Sequence, residues 1–167
     1  MPESLEYTFN PIEPDDRENI IDIFNYYVEN TFAAYPERKV PYEFFSLILE
    51  ASRGYPTIAA RDPSGSIAGF GILRSYNPMP SFSHTAEASY FLRPELTGKG
   101  LGSRILERLE AGGRERGVSC ILAGISSLND GSIRFHLKHG FILCGRFRNA
   151  GKKNGMFFDI VWMQKDI

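Results

Sequence analysis

The chain has 167 residues, 43% of them apolar and 13% aromatic, which suits one globular domain (1–167) with a substantial core. A formal net charge of -1 with no basic stripe argues against a nucleic-acid partner. The acidic start MPESLEYTFN lacks the apolar centre of a signal peptide, and no run approaches the roughly 18 apolar residues of a membrane span, so a cytoplasmic location is expected.

Tyr7 and Phe9 fit a short first strand. After Pro14, the run DDRENIIDIFNYYVEN spaces Ile20, Ile23, Phe24 and Tyr27 as one face of a helix. Asp15, Asp16 and Glu18 place negative charge at its N-terminus, where the helix dipole favours it. Pro36 and Pro41 bracket a loop, and a second helix over Tyr42–Ser52 presents Phe44, Phe45, Ile48 and Leu49 before Gly54. Two strands, Thr57–Arg61 and Ile67–Ser75, flank Asp62-Pro63-Ser64-Gly65, the turn chemistry of an antiparallel hairpin. A proline-containing loop, Asn77–Ser83, leads to a strand over Thr85–Leu92.

Next comes TGKGLGSRIL, opening a helix of about 15 residues whose inner face holds Ile105, Leu106 and Leu109. Cys120–Ile125 reads as a buried strand, and Asn129 or Asp130 caps a helix carrying Ile133, Phe135 and Leu137. Strands over Phe141–Arg148 and Met156–Gln164 close the chain. The order β-α-α-β-β-β-α-β-α-β-β is mixed α/β with an antiparallel front half. Cys120 and Cys144 lack metal-ligand spacing and read as buried, reduced thiols; no metal site is expected.

The glycines at 98, 100 and 102 admit several readings. A P-loop needs Ser or Thr after its Gly-Lys, and Gly100 follows Lys99 instead; a dinucleotide fingerprint fails at Ser103. What remains is either a supple turn or a phosphate cradle at a helix start, where amides from Gly98 to Ser103 turn to a diphosphate and absent β-carbons permit close approach.

Flanking motifs sharpen the choice. The segments TAEASYFL, TGKGLGS, AGISSLNDGSIRFHLKHGF and GRFRNAGKKNGMFFD occur in the order that marks the general N-acetyltransferase (GNAT) superfamily. They resemble the branch of phosphinothricin and methionine sulfoximine acetyltransferases, and IFNYYVENTFAAY is similar to that branch's first helix and loop. The resemblance implies an α/β GNAT fold: a mixed central sheet of six to seven strands, splayed parallel central strands, and about four helices. It also implies an enzyme that moves an acetyl group from acetyl-CoA to the primary amine of a small molecule, an amino acid or analogue, by direct attack. Acetyl-CoA would bind Tyr90, Phe91 and Leu92 of the Glu-bearing strand, the cradle Gly98, Lys99, Gly100, Leu101, Gly102 and Ser103, and Asn129 and Ser132. Relatives in the branch are often homodimers, and FFDIVWM is an apolar strand suited to an interface or to core.

The resemblance assigns catalysis to Glu87 as base, His136 as acid to the departing thiolate, and the Tyr90 N–H as donor to the thioester carbonyl. His139 reads as solvated. Phe32, Tyr35, Tyr76 and Phe82, with Glu87, are the candidate amine-binding residues. Two departures stand out. Thr97 replaces the Arg or Gln that usually begins the glycine motif, and the Asn77–Phe82 loop lacks the branch's arginines. Arg74, Lys152 and Lys153 are the remaining sources of positive charge, or simply exposed basic residues. A non-catalytic acyl-CoA sensor and a protein or peptide N-acetyltransferase are the alternative functions.

Overall fold

A computed structural model describes residues 6–167. The strands are β1 (Thr8–Asn10), β2 (Thr57–Arg61), β3 (Ile67–Ser75), β4 (Thr85–Leu92), β5 (Cys120–Ser126), β6 (Ile142–Lys153) and β7 (Met156–Asp166). The helices are α1 (Arg17–Asn30), α2 (Phe45–Ala51), α3 (Leu101–Glu115) and α4 (Asp130–Lys138). One seven-stranded sheet runs β1-β2-β3-β4-β5-β7-β6. Every pairing is antiparallel except β4 with β5, which the β4-α3-β5 crossover makes parallel.

Two apolar layers cover the sheet. On one face Ile105, Leu106 and Leu109 of α3 pack against Leu73, Ala86, Ile121 and Met163. That approach is close: a β-carbon on Gly71 of β3 would lie 2.6 Å from Ile105 Cγ2. On the other face Ile20, Ile21 and Ile23 of α1 meet Phe45, Ala59 and Phe70. Alternation along β4 divides its side chains accordingly, with Tyr90 and Leu92 joining the α3 layer and Phe91 the α1 layer.

Several expectations change in detail. The last hairpin is longer than the apolar run suggests, because β6 continues to Lys153 through bulges around Cys144 and Arg148–Ala150. Leu137 is 53% exposed and packs in neither layer, since α4 presents a different face to the core. Cys144 is exposed, not buried, because it lies on edge strand β6, and Cys120 is half-buried.

The largest difference is Lys153, which is 1% exposed. Its ammonium donates to the carbonyls of Val28 (2.6 Å), Thr31 (2.8 Å) and Ala34 (2.8 Å). Three donors meet three acceptors, so the charge is buried without an orphaned partner, and desolvation pulls its pKa down. The contact ties the final hairpin to the end of α1 and to the loop bearing Phe32 and Tyr35. Asn25 pins the same loop further on by exchanging two hydrogen bonds with the Val40 backbone. Lys153→Met leaves three inward carbonyls unpaired; a loss of about 3 kcal/mol is expected in urea unfolding.

Candidate active site

β4 and β5 hydrogen-bond as parallel neighbours over only three residue pairs, Thr85–Cys120, Ala86–Ile121 and Glu87–Leu122. Beyond them β4 stays with β3 and β5 stays with β7, so the sheet opens between two continuing ladders. The backbone groups that face this gap follow from alternation. Arg93 N–H donates to Ala68 on the β3 side, so the N–H groups of Leu92 and Tyr90 point into the gap. The Leu92 carbonyl, on the same edge, accepts the Tyr27 hydroxyl at 2.7 Å. Burial and neighbouring charge raise that phenol's pKa to about 12, so it remains a donor.

The gap opens into a cavity of about 570 Å3 that reaches the start of α3. Gly98 (φ +72°) and Gly100 (φ +85°) adopt left-handed backbone conformations that wrap the chain into the helix. Among the described residues no side chain caps α3, and its first backbone bond is Arg104 N–H to the Gly100 carbonyl. The amides of Leu101, Gly102 and Ser103 are therefore free at the positive end of the helix dipole. The Leu101 side chain is core, leaving only its amide to the cradle. Thr97 turns its hydroxyl back to the Pro94 carbonyl at 2.8 Å, so this departure from the usual Arg or Gln stabilises the preceding turn instead of reaching outward. Across the cavity, Asn129 caps α4 by accepting the Ser132 N–H at 3.3 Å.

Two polar pairs flank the gap on opposite faces of β4. On the α4 side, His136 Nδ1 lies 2.6 Å from the Ser132 carbonyl, which can only accept. That places the proton on Nδ1 and leaves Nε2 to accept the Tyr90 hydroxyl. The two rings stack at 5.5 Å. Burial lowers the His136 pKa to about 4 and raises that of Tyr90. On the α1 side, Arg74 donates twice to Oε2 of Glu87 (2.6 and 3.1 Å) and once to Ser89 Oγ (2.8 Å). Ser89 lines the cavity, whereas Glu87 stands behind it. Oε1 of Glu87 has no hydrogen-bond partner among the described residues.

Known proteins place this geometry. Residues 20–141 match the model of the acetyltransferase (GNAT) family. The L-methionine sulfoximine/L-methionine sulfone acetyltransferase of Pseudomonas aeruginosa is 32% identical over 154 residues, 91% of this chain and 90% of the relative. An acetyltransferase from Salmonella typhimurium, solved with its cofactor acetyl-CoA, is 30% identical with a TM-score of 0.87, covering 96% and 93% of the two chains. A ribosomal-protein-alanine N-acetyltransferase from Brucella melitensis is 31% identical with a TM-score of 0.89, covering 96% and 99%. The chain belongs to the GNAT family.

It is an acetyl-CoA-dependent N-acetyltransferase, and the site suits that donor. The free amides of α3 match a diphosphate, the gap-facing N–H groups match an amide-bearing pantetheine arm, and the cavity joins them. Tyr90, Leu92, Gly98, Gly100, Gly102, Ser103, Asn129, Ser132 and His136 all line it, as do Phe91 and Tyr35. Lys99 is exposed in the loop.

The GNAT site differs from the sequence reading in three respects. His136 lines the cavity but is buried, with both ring nitrogens engaged and its pKa lowered by burial, a setting that its spacing in the sequence does not announce. The four aromatics form no single wall: Phe32 and Tyr35 meet on Phe158 (5.7 Å each), while Tyr76 packs on Phe82 (5.8 Å) outside the cavity lining. His139 is not simply solvated, because its Nε2 meets Ser103 Oγ at 2.8 Å. The contact joins residues 36 apart in sequence, and no local pattern announces it.

The His136 setting carries a stability signature. Its pKa falls from 6.5 to about 4 on folding, so the unfolded chain binds the extra proton first as pH drops. The contribution is complete above about pH 6.5 and is lost progressively down to about pH 4, by about 3 kcal/mol in total. Urea unfolding across this range is expected to show that loss in the wild type and its absence in His136→Phe.

Proposed function

We propose that this GNAT enzyme acetylates the α-amine of an amino acid or a close analogue of the methionine sulfoximine or phosphinothricin kind. The observation that supports the reading is the Arg74–Glu87 pair behind Ser89, at the α1 side of the gap. A guanidinium and a carboxylate side by side match the two charges of a zwitterion: Arg74 for the acceptor's carboxylate, Glu87 for its ammonium. Tyr35 stands across from them, its hydroxyl 3.3 Å from the Gly124 carbonyl. Arg74 is the charge that the arginine-free Asn77–Phe82 loop does not provide. Lys153 is committed to carbonyls, and Lys152 lies over the Phe157 ring at 5.0 Å.

Acetyl-CoA supplies an activated acetyl thioester. The Tyr90 N–H is a fixed donor for its carbonyl, where negative charge grows during attack by the amine. A free amine is largely protonated near neutral pH, so a proton must leave before attack. Glu87 is suited to receive it through Oε1, directly or by way of water, since Arg74 occupies only Oε2. His136 serves this chemistry as the support of Tyr90, fixing its side chain against β5 and α4.

A thiol-release screen over free amino acids, methionine sulfoximine, phosphinothricin, polyamines and peptides tests the substrate class. Turnover of amino-acid analogues bearing a free carboxylate is expected, with little turnover of their amides. The relationship to a ribosomal-protein-alanine N-acetyltransferase supplies a second reading, which activity on Ala-initiated peptides but not on free amino acids would establish. Glu87→Gln is expected to lower turnover about 100-fold or more while acetyl-CoA binds normally in calorimetry. Wild-type turnover at every pH would remove Glu87 from the proton path.

The edge strand β6 supports a homodimer. Its outer surface and hairpin expose Ile142 and Leu143 (64% each), Phe147 (60%) and Phe157 (56%) beside an unpaired strand edge. Sedimentation should give a dimer mass for the wild type and a monomer mass for Leu143→Lys.

A further inference from the structure

The hydrogen bond between Ser103 and His139 runs in a direction that opposes diphosphate binding. His139 Nδ1 lies 2.7 Å from the Phe135 carbonyl, which can only accept, so whenever the ring holds a single proton it sits on Nδ1. Nε2 then accepts the Ser103 hydroxyl at 2.8 Å. Both residues line the cavity at the start of α3, among the free amides of the cradle. A serine whose hydrogen is committed to imidazole shows the cavity only lone pairs, and phosphate oxygens only accept. In this state Ser103 repels the ligand that the surrounding amides attract.

One proton removes the conflict. If Nε2 gains a hydrogen it donates to Ser103 Oγ, and the serine hydroxyl is released to donate to a phosphate oxygen. The imidazolium also adds positive charge beside the cradle. The ring is held for this by the Phe135 carbonyl and by the Phe135 ring, 4.2 Å away centroid to centroid.

The surrounding charges are mixed. On α4, Lys138 lines the same cavity, and His136, one turn back, is neutral. On α3, Glu107 follows Ser103 by one turn and is exposed, and Glu110 is paired at 2.5 Å with Lys165 of β7. Lys99 is exposed in the glycine loop.

We infer that His139 is a positioning residue which takes up a proton from solvent when the donor's diphosphate binds, and so turns the Ser103 hydroxyl towards it. The inference rests on the cradle being the diphosphate site.

Titration calorimetry with acetyl-CoA tests it, at about pH 7.5, in two buffers of different ionisation enthalpy. The wild type is expected to show net proton uptake on binding. His139→Gln should abolish that uptake and raise Kd about ten-fold, the size of one charge-assisted hydrogen bond. Adding Ser103→Ala to it should cost no more, because the two residues act as one unit. S-acetylpantetheine, which lacks the diphosphate, should bind wild type and His139→Gln equally. Unchanged uptake and Kd in His139→Gln would overturn the inference, as would an equal loss with S-acetylpantetheine. A wild type that binds both donors equally would overturn the cradle assignment itself.

Discussion

Everything at this site depends on how briefly β4 and β5 touch. Three residue pairs are enough to keep the sheet continuous, and no more are formed. A longer parallel ladder would bond the Tyr90 and Leu92 amides to β5 and close the cavity. A shorter one would split the sheet into two separately covered halves. The break is tolerated because each strand keeps its other neighbour, β3 for β4 and β7 for β5. The polar edge left open is then available to a ligand, at the carboxyl end of the parallel pair where α/β sheets generally bind. Helix α3 follows from the same topology. It must return from the end of β4 to the start of β5, so its N-terminus points at the mouth of the gap.

The walls of the gap are held by polar contacts. Buried Lys153 fixes the loop after α1, buried His136 fixes Tyr90, and the partly exposed Arg74 fixes Glu87 and Ser89. Unlike apolar packing, such contacts prescribe direction as well as proximity. The two buried ones lose much more when half-broken than they contribute when whole, because the remaining partner stays desolvated. The arrangement suits a site whose two strands would otherwise be free to move apart.

The fold was legible in the sequence because its signals are local. Helical spacing at Ile20, Ile23 and Phe24, the Asp62–Gly65 turn and the Asn129 cap each correspond to an element in place. The glycine motif became informative only through its order relative to TAEASYFL and the segment ending in HGF. What the sequence concealed is long-range and polar. Lys153 looks like one basic residue among several in GKKNG, yet its partners lie more than 100 positions away. His136 looks titratable, and burial beneath Tyr90 lowers its pKa even though the Ser132 carbonyl pulls the other way. Tyr76 and Phe82 look like cavity aromatics because composition cannot say which ring finds which partner.

The two faces of β4 also separate the enzyme's two recognition problems. On the proposed donor side the groups on offer are backbone amides and a helix terminus, which any sequence of this fold can present once glycines permit the wrapping. On the proposed acceptor side they are side chains, Arg74, Glu87, Ser89 and Tyr35, which substitution can exchange without disturbing the sheet. Donor binding is thus written into topology, and acceptor choice into a few replaceable groups. The charge that selects the acceptor need not come from a fixed loop position. In the proposed site Arg74 supplies it from the strand β3 paired with β4, so a relative's substrate is best transferred by the placement of its charges and not by overall identity.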